Sequence, residues 1–151
     1  MYAVIRIRGS VNVREEVEDT LHRLHLDKPN NCVLLPETES YLGMLREVKD
    51  LVAYGRVDTA TVAFLLRKRA RLQGGRRLTD EALKQIGYSS VEELAAALTD
   101  GKVLLRDVPK LIPVLRLRPP SGGHKSVKRQ YPEGSLGDWG PSIAQLLTRM
   151  A

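Results

Sequence analysis

The chain has 151 residues, of which 42% are hydrophobic and 28% charged, a globular balance that excludes a disordered tail. No apolar run approaches the roughly 20 residues of a membrane-spanning helix. The opening Met1-Tyr2-Ala3-Val4-Ile5-Arg6 carries neither a long apolar stretch nor a small-residue cleavage site for export. One cysteine and three histidines leave no material for an intramolecular disulfide and almost none for structural zinc, so a cytoplasmic protein without a cofactor is expected.

Residues 2–8 alternate as a strand, with Ala3, Ile5 and Ile7 on one face and Tyr2, Val4, Arg6 and Arg8 on the other. That pattern predicts one core face and one cationic face. Asn12 with Glu15 is a capping arrangement for a helix through Val13, Val17, Leu21 and Leu24, ended before Pro29. Cys32 to Leu35 form a short buried strand stopped at Pro36. Thr38 or Ser40 caps a second helix with Leu42, Leu45 and Val48 inward, and Leu51 to Tyr54 form a third strand closed by Gly55. The order β-α-β-α-β thus fills the opening part of the chain.

Downstream the period becomes helical. Asp58 caps a helix carrying Ala63, Leu66 and Ala70, Thr79 opens another ended by Gly87, and Ser90 with Glu93 forms a capping box for a third ended near Gly101. From Leu111 to Arg118, Arg116 and Arg118 alternate with Leu115 and Leu117. This repeats the apolar-in, arginine-out pattern of the first strand and suggests a strand returning to the sheet on the same cationic side. Pro119 to Gly137 have no usable period and read as an extended loop, too poor in apolar residues to order itself without a partner. Pro141 then starts a terminal helix with Ile143, Leu146, Leu147 and Met150. Three parts follow: residues 1–56 as a core, 57–110 as a helical insertion, and 111–151 as returning strand, basic loop and terminal helix of one compact unit.

The net charge of +6 is unevenly placed. Residues 1–60 hold 8 basic against 10 acidic side chains, whereas residues 61–151 hold 16 against 8. Two tracts contain no acid at all. The first spans Arg67, Lys68, Arg69, Arg71, Arg76 and Arg77, and the second spans Arg116, Arg118, His124, Lys125, Lys128, Arg129 and Tyr131. Each includes a Gly-Gly pair. Cations for phosphates, glycines for close backbone approach, and His124 or Tyr131 for stacking on an unpaired base together point to structured nucleic acid.

Enzyme chemistry has little support. Gly74-Gly75 and Gly122-Gly123 lack the upstream glycine and following Lys-Ser/Thr of a phosphate loop. Glu18, His22 and His25 lie on one side of the first helix, but three such residues on one exposed face read as solvated surface before they read as a metal site. Cys32, in an apolar strand, reads as inert core. No nucleophile with a partnered base is visible, so neither a catalytic role nor a small-molecule substrate is expected.

The run Ile5-Arg6-Ile7-Arg8-Gly9-Ser10, then Thr38 with Gly43-Met44 and Val52-Ala53-Tyr54-Gly55, resembles the core pattern of the large-subunit ribosomal protein L-thirty family in its archaeal form. The resemblance continues through Arg67-Lys68-Arg69 to Leu78-Thr79-Asp80, Pro120-Ser121-Gly122-Gly123, Tyr131-Pro132-Glu133-Gly134 and Arg149-Met150. It implies an α+β fold, a ferredoxin-like β-α-β-α-β core with an inserted helical block. It also implies a structural protein of the ribosome that binds large-subunit ribosomal RNA, with neighbouring ribosomal proteins as further partners, and no membrane. The interface expected from tracts and strands together is Arg6, Arg8, Arg67, Lys68, Arg69, Arg71, Arg76, Arg77, Arg116, Arg118, His124, Lys125, Lys128, Arg129 and Tyr131. A free regulator reading a DNA or mRNA site is the alternative. Its discriminating feature is a helix presenting base-reading side chains.

Overall fold

Tyr2-Ala3-Val4-Ile5 is apolar on both faces of the pleat, and in the computed structural model, which describes residues 1–151, this segment is the centre of the fold. Strand β1 (Tyr2–Arg6) lies between β2 (Asn31–Leu35) and β3 (Val52–Arg56) and is antiparallel to both. Two-residue strands close the edges: β4 (Leu115–Arg116) runs antiparallel beside β2, and β5 (Gly137–Asp138) runs parallel beside β3. The five-stranded order is β4-β2-β1-β3-β5, so the returning segment joins the sheet as expected. β1 is shorter than the alternation predicts, because the Ile7 and Arg8 amides both turn to the Leu51 carbonyl, at 2.9 and 3.1 Å.

Both faces of the sheet are covered. Helices α1 (Glu15–Arg23) and α2 (Glu39–Val48) pack Leu21, Leu24, Leu45 and Val48 against Tyr2, Val4, Val33 and Leu35. On the opposite face, α3 (Thr59–Arg69), α5 (Val91–Thr99) and α6 (Ile143–Met150) bury Leu65, Leu66, Leu94, Leu98, Ile143 and Leu147 against Ala3, Ile5 and Cys32. Helix α4 (Asp80–Ile86) adds Leu83 to that second core. The expected open cationic face of the sheet does not exist. Asn31 pairs with Arg116, and alternation puts Arg6 on that same face, but it is the face that α1 and α2 cover. Arg6 is 1% exposed. Its alternation with isoleucine was a correct sign of which side it takes, and no sign of solvent.

Most helix starts are set by a side chain one turn upstream. The Thr38, Asp58, Thr79 and Ser90 oxygens accept from the amides of Tyr41, Thr61, Ala82 and Glu93. At Ser90 the capping box closes one residue early, since the Glu93 carboxylate accepts from Ser89 at 2.7 Å. Helices α1 and α6 have no such bond: Ser142 at the start of α6 makes none, and Asn12, the expected cap of α1, has φ 58° and sits in the preceding turn. The N-cap of α1 is Arg14, without a side-chain bond, and Glu15, Glu16 and Glu18 instead complement the helix dipole. Gly55 does not close β3 but lies within it, because a Cβ there would overlap the Gly140 carbonyl and come within 2.8 Å of Ile143 Cβ. It is the contact through which the Gly140–Ser142 turn docks α6 on the sheet.

Candidate nucleic-acid interface

Helix α3 ends in Arg67, Lys68 and Arg69, where cations oppose the partial negative charge of the last carbonyls. The chain then makes a tight hairpin. Arg71 bridges Arg77, the Leu72 amide donates to the Arg76 carbonyl at 2.8 Å, and Gly74 and Gly75 take the turn at φ 87° and 78°, a region closed to most side chains. Bonds from Ile112 to the Arg71 carbonyl and from Gln73 to the Lys110 carbonyl, at 2.9 and 2.8 Å, pin this hairpin beside the segment leading into β4.

That docking brings the first tract against the second. Arg69, Arg71 and Arg116 line one cleft of about 250 Å³ with Gly75, Ile112 and Val114. The Arg69 guanidinium is held below its ordinary pKa by burial first and then by Arg118, Arg71 and Arg77, and its Nε has no partner. None of Arg69, Arg71, Arg76, Arg77, Arg116 or Arg118 is in an ion pair. Arg67 differs, since it is paired with Glu92 on α5. Lys68 is exposed.

Arg118 also links this cluster to the loop. Its amide donates to the Met150 carbonyl at 2.9 Å, and the Ser121 amide donates to the Arg149 carbonyl at 3.1 Å, so the loop satisfies orphan carbonyls at the end of α6. His124 is thereby set near Arg149. Burial and the Arg149 charge hold its imidazole below the ordinary value, and its Nδ1 has no partner. Arg149 is absent from the expected interface, because along the sequence it is a lone charge outside both tracts. Lys125 Nζ donates to the Pro132 carbonyl at 3.1 Å, and Arg129 pairs with Glu133 at 3.3 Å. Tyr131, 37% exposed, stacks on Trp139 with ring centroids 4.4 Å apart. The loop then reaches the far end of β1. Gln130 donates to Asp50 at 2.7 Å, and Val127 lines a cleft of about 630 Å³ with Arg8. Lys128 and Arg8 are exposed.

Arg6 has no place on this surface. Its guanidinium donates to the Leu26, Asp27 and Arg8 carbonyls and to Ser10 Oγ, at 2.7 to 2.9 Å, and ties β1 to the turn after α1. The outer side of α1 is acidic instead: Glu15, Glu16, Glu18 and Asp19 line a cleft with Asp27, His22 and Arg6, and no hydrophobic residue enters it. His22 Nδ1 donates to the Asp27 carboxylate at 2.6 Å, which raises the histidine pKa, and His25 follows at φ 59°, beyond the helix. No three His, Cys, Asp or Glu side chains are grouped to hold a metal ion. Cys32 is fully buried, and desolvation pushes its thiol up to about 12. The arrangement suits a polyanion laid along the cationic edge: positive side chains without acidic partners, backbone turns open to close approach, and one exposed aromatic stack.

Comparison with known proteins gives the same direction. A family model described as ribosomal protein L30p/L7e matches residues 2–52. Over 151 residues the chain is 50% identical to the large ribosomal subunit protein uL30 of Archaeoglobus fulgidus, with 99% of each chain covered. The proteins of the same name from Methanocorpusculum labreanum and Methanoculleus marisnigri are 49% and 50% identical over 152 residues, again with 99% of each chain covered.

Proposed function

Since the chain belongs to the ribosomal protein L30p/L7e family, we propose that it is a structural, non-catalytic constituent of the large ribosomal subunit, binding ribosomal RNA beside other proteins of that subunit. The observation that carries the RNA contact is the convergence of Arg69, Arg71 and Arg77 with Arg118 on one edge without an acidic partner. Like charges so placed repel one another, and phosphates relieve that repulsion. Arg8, Lys68, Arg76, Arg116, Lys125, Lys128, Arg129 and His124 extend the contact along the same side and the loop. Arg149 joins them. Arg67 and Arg129 contribute less, because Glu92 and Glu133 already face them.

A free regulator finds no comparable support, since these cations issue from a hairpin, an edge strand and a loop, whereas a regulator reads bases from an exposed helix. The test is sedimentation of the tagged chain through sucrose gradients at low and high salt, together with direct binding to deproteinised large-subunit RNA. Migration with the large subunit at both salts is expected. A chain that stays at the top of the gradient and ignores the RNA overturns the assignment.

A further inference from the structure

Beyond the cationic edge, the segment following the basic loop folds back on itself and builds a cleft with a different chemistry. The Tyr131 amide donates to Leu136 at 2.8 Å, Gly134 to Gln130 at 2.8 Å, and Ser135 to Ser126 at 2.8 Å. Gly134 has no room for a side chain against the Arg129 backbone. The fold-back sets the Tyr131 ring on the Trp139 indole, interplanar angle 29°, and the indole nitrogen is already satisfied by the Ser135 carbonyl at 3.0 Å. The cleft beside this stack is about 380 Å³. Lys125 and Arg149 flank it, Gln145 projects from the exposed side of α6, and Ser135, 1% exposed, forms its inner wall with a hydroxyl that has no partner.

We propose that this cleft takes one unpaired nucleotide of the bound RNA, its base stacked on Tyr131 and its phosphate held between Lys125 and Arg149. The proposal rests on the RNA-binding reading and adds a subsite to it. Phosphate binding alone has no use for an exposed aromatic stack, while a splayed base supplies a matching flat apolar face. The volume falls within the ~300–1,000 Å³ of small-molecule sites. Gln145, with an amide donor and acceptor at the rim, is placed for the edge of the base.

Trp139 is the single tryptophan of the chain, so its emission reports this cleft alone. The full chain is titrated with deproteinised large-subunit RNA, with an adenine oligonucleotide, and with an abasic ribose-phosphate oligomer of equal length. Emission is expected to change with the RNA and the adenine oligonucleotide and to stay level with the abasic oligomer. Tyr131→Ala is expected to weaken RNA binding by about 5- to 150-fold, the range for one stacked base, and Tyr131→Phe to retain it. Gln145→Ala, on an exposed helix face, guards against a folding defect and is expected to weaken RNA binding while leaving the melting temperature unchanged. Native-affinity RNA binding with unchanged emission and no effect of Tyr131→Ala or Gln145→Ala overturns the subsite and leaves the ribosomal assignment standing. An equal response to the abasic oligomer overturns base recognition. No binding of ribosomal RNA by the unaltered chain overturns both.

Discussion

Arg6 Nη1 donates to the Leu26 carbonyl at 2.7 Å, inside the layer where α1 and α2 cover the sheet. This guanidinium closes the turn after α1 and does not reach the cationic edge. Arg6→Ala is expected to lower unfolding stability by about 2–4 kcal/mol, because buried carbonyls left without a donor cost ~1–3 kcal/mol each. Chemical denaturation measures the loss. The salt dependence of RNA binding is expected to remain that of the unaltered chain, and a reduced slope would return Arg6 to the interface.

Neutralising Arg71, Arg77, Arg116 and Arg118 together is expected to weaken RNA binding and flatten its salt dependence. Each phosphate contact contributes about 0.7–0.9 to the slope of log affinity against log salt, so four contacts lower it by about three. Arg67→Ala, facing Glu92, is expected to change it by less than one contact. Filter binding across a salt series reads both. An unchanged slope in the quadruple variant would make these charges solvated surface.

His124 is expected to titrate below its ordinary value of 6.5, since burial and the Arg149 charge both oppose protonation. Between its folded pKa and the ordinary value, the unfolded chain binds a proton that the folded chain does not. Stability therefore rises with pH across that window, is complete above it, and is lost as pH falls through the folded value. NMR titration of the imidazole gives the pKa directly, and Arg149→Ala is expected to raise it. A value at or above the ordinary one contradicts the packing described for His124.

Two glycines are expected to respond in opposite directions to alanine. Gly55→Ala places a Cβ against the Gly140 carbonyl and Ile143, and is expected to cost about 1–3 kcal/mol or more by overpacking. Gly43, inside α2 with nothing within 4 Å of an added Cβ, is expected to gain about 0.5–1 kcal/mol as alanine through helix propensity. Melting temperatures of the two variants check the contrast.

Within the basic loop, few amides between Ser121 and Gln130 have a partner: Ser121 bonds Arg149, Gly123 bonds Pro120, and Lys128 bonds Ser126 Oγ. Hydrogen exchange on the isolated chain is expected to be fast for Val127, Arg129 and Gln130 and slow for Arg118, Ser135 and Leu136, whose amides are tied to distant carbonyls. Ribosomal RNA is expected to slow the first group. Equal protection throughout without RNA would show a loop that orders itself.

What the amino-acid sequence by itself determined here is what depends on neighbours a few residues apart. Thr38, Asp58, Thr79 and Ser90 were legible as caps because the bond each makes is to an amide three residues on. Strands β1 to β4 and the inward residues of α6 followed from their periods, whereas β5 begins inside the segment that reads as a loop, and the concentration of cations was legible as two tracts without acids. Alternation placed Arg6 and Arg116 on one face, but coverage of that face depends on where α1 and α2 dock, which no local pattern encodes. Gly55 reads in the sequence as the close of a strand, and only the approach of Gly140 across space showed that it serves a contact within the strand. The union of Arg69 with Arg118, the recruitment of Arg149 beside His124, and the stacking of Tyr131 on Trp139 belong to tertiary structure for the same reason. Charge and aromaticity are properties of residues, while a binding surface exists only once the sheet has brought distant segments within the few ångströms over which those properties act.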